Sequence, residues 1–168
     1  MTLQEYCETL SQKKQIRLAL KLGKLALPIW DNFTKSNSLD YRDTVVGLTH
    51  SVPKDLLSNT ITEIEKFIST PSLPSFLKDK DALMNLYSCF EDPIVALQDF
   101  DWELPDSVKQ IFYSMYNLTG WIIKKDSNTD GDSCLYISIN QSIDAIENTG
   151  ILSEDEIKQI LQNTKNSR

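Results

Sequence analysis

A chain of 168 residues in which 40% are hydrophobic and 24% are charged has the composition of an ordinary globular domain. Its net charge is −7, and residues 91–168 alone carry −8, which disfavours nucleic-acid and anionic-lipid partners and favours cationic ones. Because the sequence has no apolar run near the roughly 18 residues that span a bilayer, and no signal-peptide layout at its start, we predict a cytoplasmic protein without membrane contact.

The first 36 residues predict two helices. Thr2 with Glu5 has the form of a capping box and predicts the start of a short first helix, and Ser11 precedes a long second one. Apolar residues recur every three or four positions over 16–30, which predicts a helix with a wide buried face. Because proline lacks a backbone N–H, we expect Pro28 to kink this helix or to end it nearby.

Residues 36–75 predict two further helices and a linker. Residues 40–50 are compatible with a short helix, whose predicted buried residues are Val45, Val46 and Leu48. Pro53 marks another helix start, and apolar spacings of three and four from Leu57 to Ile68 predict an amphipathic helix. Residues 70–75, which read TPSLPS, are the clearest linker and a possible break between two subdomains.

The second half of the chain continues the helical pattern. A helix is expected over 76–90, a short one is expected to open at Pro93, and another at Pro105. Residues 134–148 fit either a strand or a helical face. The spacing of Ser153 and Glu156 predicts a last capping box. We therefore predict an all-α fold, an antiparallel helical bundle of about six to eight helices, in one domain over 1–168.

Catalytic motifs are absent from the sequence, which favours a protein that binds rather than reacts. The three cysteines form no CxxC pair, there is one histidine, and no phosphate-binding glycine loop occurs, so no cofactor and no metal is predicted. The alternative is a small helical enzyme or ligand-binding protein with a pocket between helices. Its most plausible polar group is Arg42, Asp43 and His50, which lie close together in the sequence.

One segment has part of the pattern of a calcium loop. Its oxygen-bearing residues at alternate positions are Asp126, Asn128, Asp130 and Asp132. Gly131 would permit the sharp turn, but the twelfth position, where a bidentate glutamate is expected, is Ile137. The pattern therefore favours a solvated turn, with a weak calcium site as the alternative.

The most unusual composition belongs to residues 91–106, which contain six acidic residues and no basic one. Aromatic and apolar residues alternate with the later acids, either as inward anchors of a surface loop or as part of a recognition patch. In the second interpretation the acids steer a cationic protein and the tryptophan supplies a central contact. The predicted partner-binding residues are Asp99, Asp101, Trp102, Glu103 and Asp106.

Residues 17–48 resemble a pattern in the small all-helical immunity proteins of bacterial polymorphic toxin systems. In that pattern a helix carrying "ALPIW" precedes a short segment with Arg and Asp. The matching positions are Ala19, Ala26, Leu27, Pro28, Ile29, Trp30, Arg42 and Asp43. The resemblance covers about a fifth of the chain, and the rest departs from the alanine-rich helices of that group. It implies a stoichiometric inhibitor that binds and neutralises a toxin, a role that suits an acidic protein facing a basic partner.

Overall fold

A computed structural model describes residues 1–43, 45–69, 73–99, 104–124 and 133–167. Across these ranges the chain forms seven helices and one two-stranded sheet, which confirms the predicted all-α bundle of six to eight helices. The elements are α1 Leu3–Glu8, α2 Gln12–Ser36, β1 Asp40–Arg42, β2 Thr49–Ser51, α3 Leu56–Ser69, α4 Leu73–Asp99, α5 Asp106–Lys124, α6 Cys134–Thr149 and α7 Glu154–Asn166. None of the described helices combines the length and the apolar character that crossing a membrane requires.

The helix ends follow the local signals in the sequence. Thr2 and Ser153 each form a complete capping box with a glutamate three residues later, as predicted. Ser11 caps α2 by accepting a hydrogen bond from the backbone N–H of Lys14. Gly150 ends α6 in the left-handed conformation, with φ of 65°. These bonds satisfy backbone groups that the helices themselves leave unpaired.

Both internal prolines lie within continuous helices. Pro28 does not end α2, which runs on to Ser36. The prediction that Pro93 opens a new helix is wrong, because α4 extends without a break from Leu73 to Asp99. The fixed φ of proline is compatible with a helix, and burial of the flanking residues Phe90 and Ile94 outweighs the lost hydrogen bond. Of the predicted linker, residues 73–75 are the first turn of α4, and 70–72 lie outside the described residues.

The predicted helix over 40–50 is wrong, because this segment forms the antiparallel pair of β1 and β2. Its two halves pair with each other and position the turn between them at the protein surface. The three apolar residues that we expected to be buried there are exposed: Val45, Val46 and Leu48. The ambiguous segment 134–148 is helical, within α6.

The buried side chains of the helices form one hydrophobic cluster, from Tyr6 in α1 to Ile157 in α7. Trp30 of α2 lies at its centre, fully buried. Its ring stacks on Phe112 of α5, with ring centroids 5.5 Å apart, and Phe112 in turn lies 5.0 Å from the ring of Phe90 in α4. This aromatic chain joins three helices across the core.

The α5–α6 interface is polar at its centre. Ser114 of α5 donates to the backbone carbonyl of Ser138 at 2.9 Å, and its Oγ lies 2.7 Å from the Oγ of Ser142. All three serines are fully buried. Because serine is small, the two helices approach closely, and the buried hydroxyls find hydrogen-bond partners in one another.

Candidate protein-binding surface

The β1–β2 hairpin (residues 40–51) is held by cross-strand pairs and by side chains at its base. Tyr41 lies opposite His50, and their rings are 5.6 Å apart. At the base of the hairpin, the carboxylate of Asp40 accepts hydrogen bonds from the hydroxyls of Ser51 and Ser38. These contacts lie close to the core, since Val52 and Leu39, which flank the strands, are buried and joined by a backbone hydrogen bond of 2.8 Å.

The turn of the hairpin is organised by Asp43. Its Oδ1 accepts hydrogen bonds from the backbone N–H of Val45 at 2.7 Å and of Val46 at 3.0 Å. Gly47 follows with φ of 72°, a left-handed conformation that glycine adopts without strain. The guanidinium Nε of Arg42 donates to the carbonyl of Gly47 at 3.2 Å and closes the turn from the other side. Asp43 and Arg42 therefore hold the backbone of residues 45–47 by hydrogen bonds.

The geometry of the turn predicts how it responds to acid. The backbone N–H groups of Val46 and Val45 lower the pKa of Asp43 below its ordinary value of 3.8. A carboxyl with a lowered folded-state pKa stabilises the turn above its unfolded pKa, and this stabilisation is lost as the pH falls through the folded pKa. We expect the backbone amide resonances of Val45 and Val46 to shift as the pH falls, with a midpoint below 3.8, the ordinary pKa of the carboxyl.

The control for this titration is Asp43→Asn, which keeps one acceptor oxygen but cannot titrate in this range. The variant should show no such shift when the same resonances are followed by NMR. If the two amides shift by the same amount in the variant and in the unchanged protein, the carboxylate does not organise the turn.

The tip exposes three large aliphatic side chains within four positions of the chain. Val45 is 90% exposed, Val46 62% and Leu48 60%. A fourth, Val95 on α4, is 49% exposed. Single exposed apolar residues are common, whereas a group of them is typical of surfaces that contact another protein. Sequence reasoning missed these residues, although Asp43 with Gly47 four positions later is a turn signal.

The hairpin tip and the last part of α4 enclose a surface groove of about 300 Å³. Its lining residues are Tyr41, Arg42, Asp43, Val45, Asp92, Val95 and Ala96. Burial raises the pKa of the Tyr41 hydroxyl, and the nearby negative charge of Asp92 raises it further. The charged lining residues are the two acids Asp43 and Asp92 and the base Arg42. We name the exposed tip residues 45, 46 and 48, with Asp92 and Val95 of α4, the hairpin–α4 surface.

The predicted acidic patch is described only at its edges. Asp101, Trp102 and Glu103 lie outside the described residues, and Asp99 is the last residue of α4. Asp106 is the first residue of α5 and is exposed, with a carboxylate oxygen 3.8 Å from Nζ of Lys109. Asp92, near the start of the acidic segment, lines the groove beside the hairpin.

The alternative ligand group is only partly assembled. Arg42 and Asp43 both line the groove, but their polar atoms already bond to the backbone of the turn. The ring of His50 lies beside that of Tyr41 at an angle of 32°, and His50 is not among the groove's lining residues. A ligand-binding or catalytic role for these three residues stays a prediction.

The proposed calcium residues Asp126, Asn128, Asp130 and Asp132 lie outside the described residues. Within the described ranges, no group of three or more His, Cys, Asp or Glu side chains is placed to hold a metal. All three cysteines are described, and none forms a disulfide.

The cysteines differ in exposure. Cys89 is exposed, whereas Cys7 and Cys134 are buried. Burial raises the pKa of the Cys7 thiol to about 11, and the charge of Glu8 adds to the rise, so this thiol is protonated at neutral pH and a poor nucleophile.

No protein-family model, curated protein or solved structure matches the chain, and the resemblance to immunity proteins therefore stays a prediction.

Proposed function

We propose that this protein binds a cationic protein partner through the hairpin–α4 surface, and that it acts as an immunity-type inhibitor that neutralises a toxin. The observation that carries the proposal is the exposure of Val45, Val46 and Leu48 beside the hydrogen bonds that Asp43 accepts from the turn. Exposing these side chains stabilises nothing in the fold itself, whereas a partner that covers them gains the free energy of burying their apolar surface.

Charge supports the choice of a cationic partner. Asp92 lines the groove together with the exposed Val45 and Val95, and the sequence after it continues with acidic residues up to Asp106. An acidic rim around an apolar centre speeds the encounter with a basic protein and disfavours acidic competitors. The net charge of −8 over residues 91–168 acts in the same direction over longer distances.

The inhibitor role rests on the resemblance of residues 17–48 and on the position of that stretch in the fold. Its helical part is the core of α2, and its Arg and Asp residues form the hairpin turn. A protein that neutralises a toxin needs a preorganised surface and no chemistry of its own, because steric and electrostatic blocking is sufficient.

The first experiment identifies the partner by affinity capture from native lysate, with elution along a salt gradient and identification by mass. We expect one basic protein that is retained at low salt and released as salt rises. The affinity of two variants for the purified partner is then measured by calorimetry. The first variant combines Val45→Ser and Leu48→Ser, and the second is Asp92→Lys alone. We expect each to weaken binding by about tenfold or more.

Glu147→Lys is the matched control, because it changes the net charge by the same amount as Asp92→Lys. Glu147 is exposed near the end of α6, where the helix dipole favours a cation. It should bind like the unchanged protein. Capture of no basic protein, or affinities that neither hairpin–α4 variant alters, would contradict the proposal.

A further inference from the structure

A second concave site lies at the other end of α2, away from the hairpin. It has a cavity volume of about 400 Å³ and opens between the start of α2 and the ends of α3 and α5. Its described lining residues are Gln12, Lys13, Ile16, Arg17, Phe67, Ile68, Trp121 and Ile122. The volume is within the range of small-molecule sites.

The floor of this cavity is apolar. Trp121 and Ile122 of α5 are mostly buried and form its base, and Ile16, Phe67 and Ile68 are half-buried along its walls. An aliphatic chain placed there would remove apolar surface of both ligand and protein from water. The floor therefore suits the hydrocarbon part of a ligand.

The mouth of the cavity is cationic. Lys13 and Arg17 are four residues apart, which places them on one face of α2, and both are exposed at the cavity. None of the described lining residues is acidic. The first turn of α2 has no acidic side chain, so the positive end of the helix dipole adds to these two charges.

The adjoining recess restricts where a charged head group can lie. It has a volume of about 310 Å³, shares Gln12 and Trp121 with the cavity, and contains the carboxylate of Glu8. An anionic head group is repelled on that side and attracted on the side of Lys13 and Arg17. The charges therefore fix one orientation, with the head group at α2 and the tail over Trp121.

We propose that this cavity, which we call the α2 cavity, binds an amphipathic anion, a carboxylate with an unbranched apolar chain of medium length. The site is separate from the hairpin–α4 surface and does not depend on the proposed function. Lys13 and Arg17 bind the carboxylate, with the guanidinium able to form two parallel hydrogen bonds to its oxygens.

The test uses three probes that share an eight-carbon chain and differ in the head group: octanoate, octan-1-ol and octyltrimethylammonium. Binding to the full chain is measured by calorimetry below the concentration at which any probe forms micelles. We expect octanoate to bind with one-to-one stoichiometry and about tenfold or more tighter than the other two. In a fluorescence titration with octanoate, the signal of Trp121 should change with the same midpoint as the calorimetric binding curve. The signal of Trp121 is obtained by subtracting the fluorescence of the Trp121→Phe variant.

Two variants separate the charge from the cavity. Lys13→Glu with Arg17→Glu should remove the preference for octanoate, and Ile68→Trp should fill the cavity and abolish binding of all three probes. The matched control is Lys35→Glu with Lys54→Glu, which changes the net charge by the same amount and should keep the preference for octanoate. Lys35 lies about 33 Å from Lys13 along α2. Neither Lys35 nor Lys54 lines the cavity. Equal affinity for the three probes, unchanged octanoate binding in the Lys13 and Arg17 variant, or no binding of octanoate would overturn the proposal.

Discussion

Replacing Trp30 with alanine is expected to lower the free energy of unfolding by about 4 kcal/mol. The side chain is fully buried between α2 and α5, where its ring stacks on Phe112. Truncation leaves a cavity that two packed helices cannot close, and it removes the ring contact as well. The indole Nε1 also donates to the carbonyl of Lys54 at 2.7 Å, which ties α2 to the segment before α3.

Trp30→Phe separates the hydrogen bond from the packing. Phenylalanine keeps much of the aromatic volume but leaves the Lys54 carbonyl without this donor, so we expect a loss of about 2 kcal/mol. Both variants are measured by urea denaturation followed by circular dichroism, since tryptophan fluorescence itself is altered. Lys35→Ala, an exposed change on the same helix, should stay within about 0.5 kcal/mol. A loss below about 1 kcal/mol for Trp30→Ala is incompatible with a central position in the core.

Replacing Ser142 with leucine is expected to have the second largest effect and to lower the free energy of unfolding by about 3 kcal/mol. The larger side chain has no space at the α5–α6 interface, where Ser142 is fully buried. It also removes the hydroxyl that lies 2.7 Å from Ser114 Oγ. Overpacking and a lost polar partner therefore act together in one substitution.

Ser142→Ala is the matched control, because it removes the hydroxyl without adding volume. Ser114 keeps its bond to the carbonyl of Ser138, so a loss of about 1 kcal/mol is expected in the same denaturation experiment. If Ser142→Leu costs no more than Ser142→Ala, the two helices are not as closely packed at this point as their serines indicate.

The features predicted correctly from the sequence are those that depend on neighbouring residues. A capping box is completed within three positions, as at Thr2 and Ser153, and the stripe of apolar residues along α2 requires only the helical period. Residues 134–148 fit both a strand and a helix because apolar residues at alternate and at fourth positions coexist there. The packing of this segment on α2 and α5, which the sequence does not display, selects the helix.

The wrong predictions concern segments that distant contacts decide. Pro93 resembles a helix start locally, but the burial of α4 on both sides of it keeps the helix continuous. Val45, Val46 and Leu48 have the composition of a buried face, and only the pairing of residues 40–42 with 49–51 places them at an exposed tip. The sequence indicated the acidic segment 91–106, which includes Asp92 of the candidate surface, but not the apolar residues of that surface, since exposure is a property of the assembled fold.

The hydroxyl of Tyr6 donates to the carbonyl of Leu161 at 2.6 Å, and Nζ of Lys14 donates to that of Lys165 at 2.9 Å. These contacts join positions that are more than 150 residues apart in the chain. Loop-closure entropy opposes contacts of such long sequence separation. Because the Tyr6 hydrogen bond joins α1 to α7, we expect a change that loosens one of these two helices to speed amide hydrogen exchange in the other.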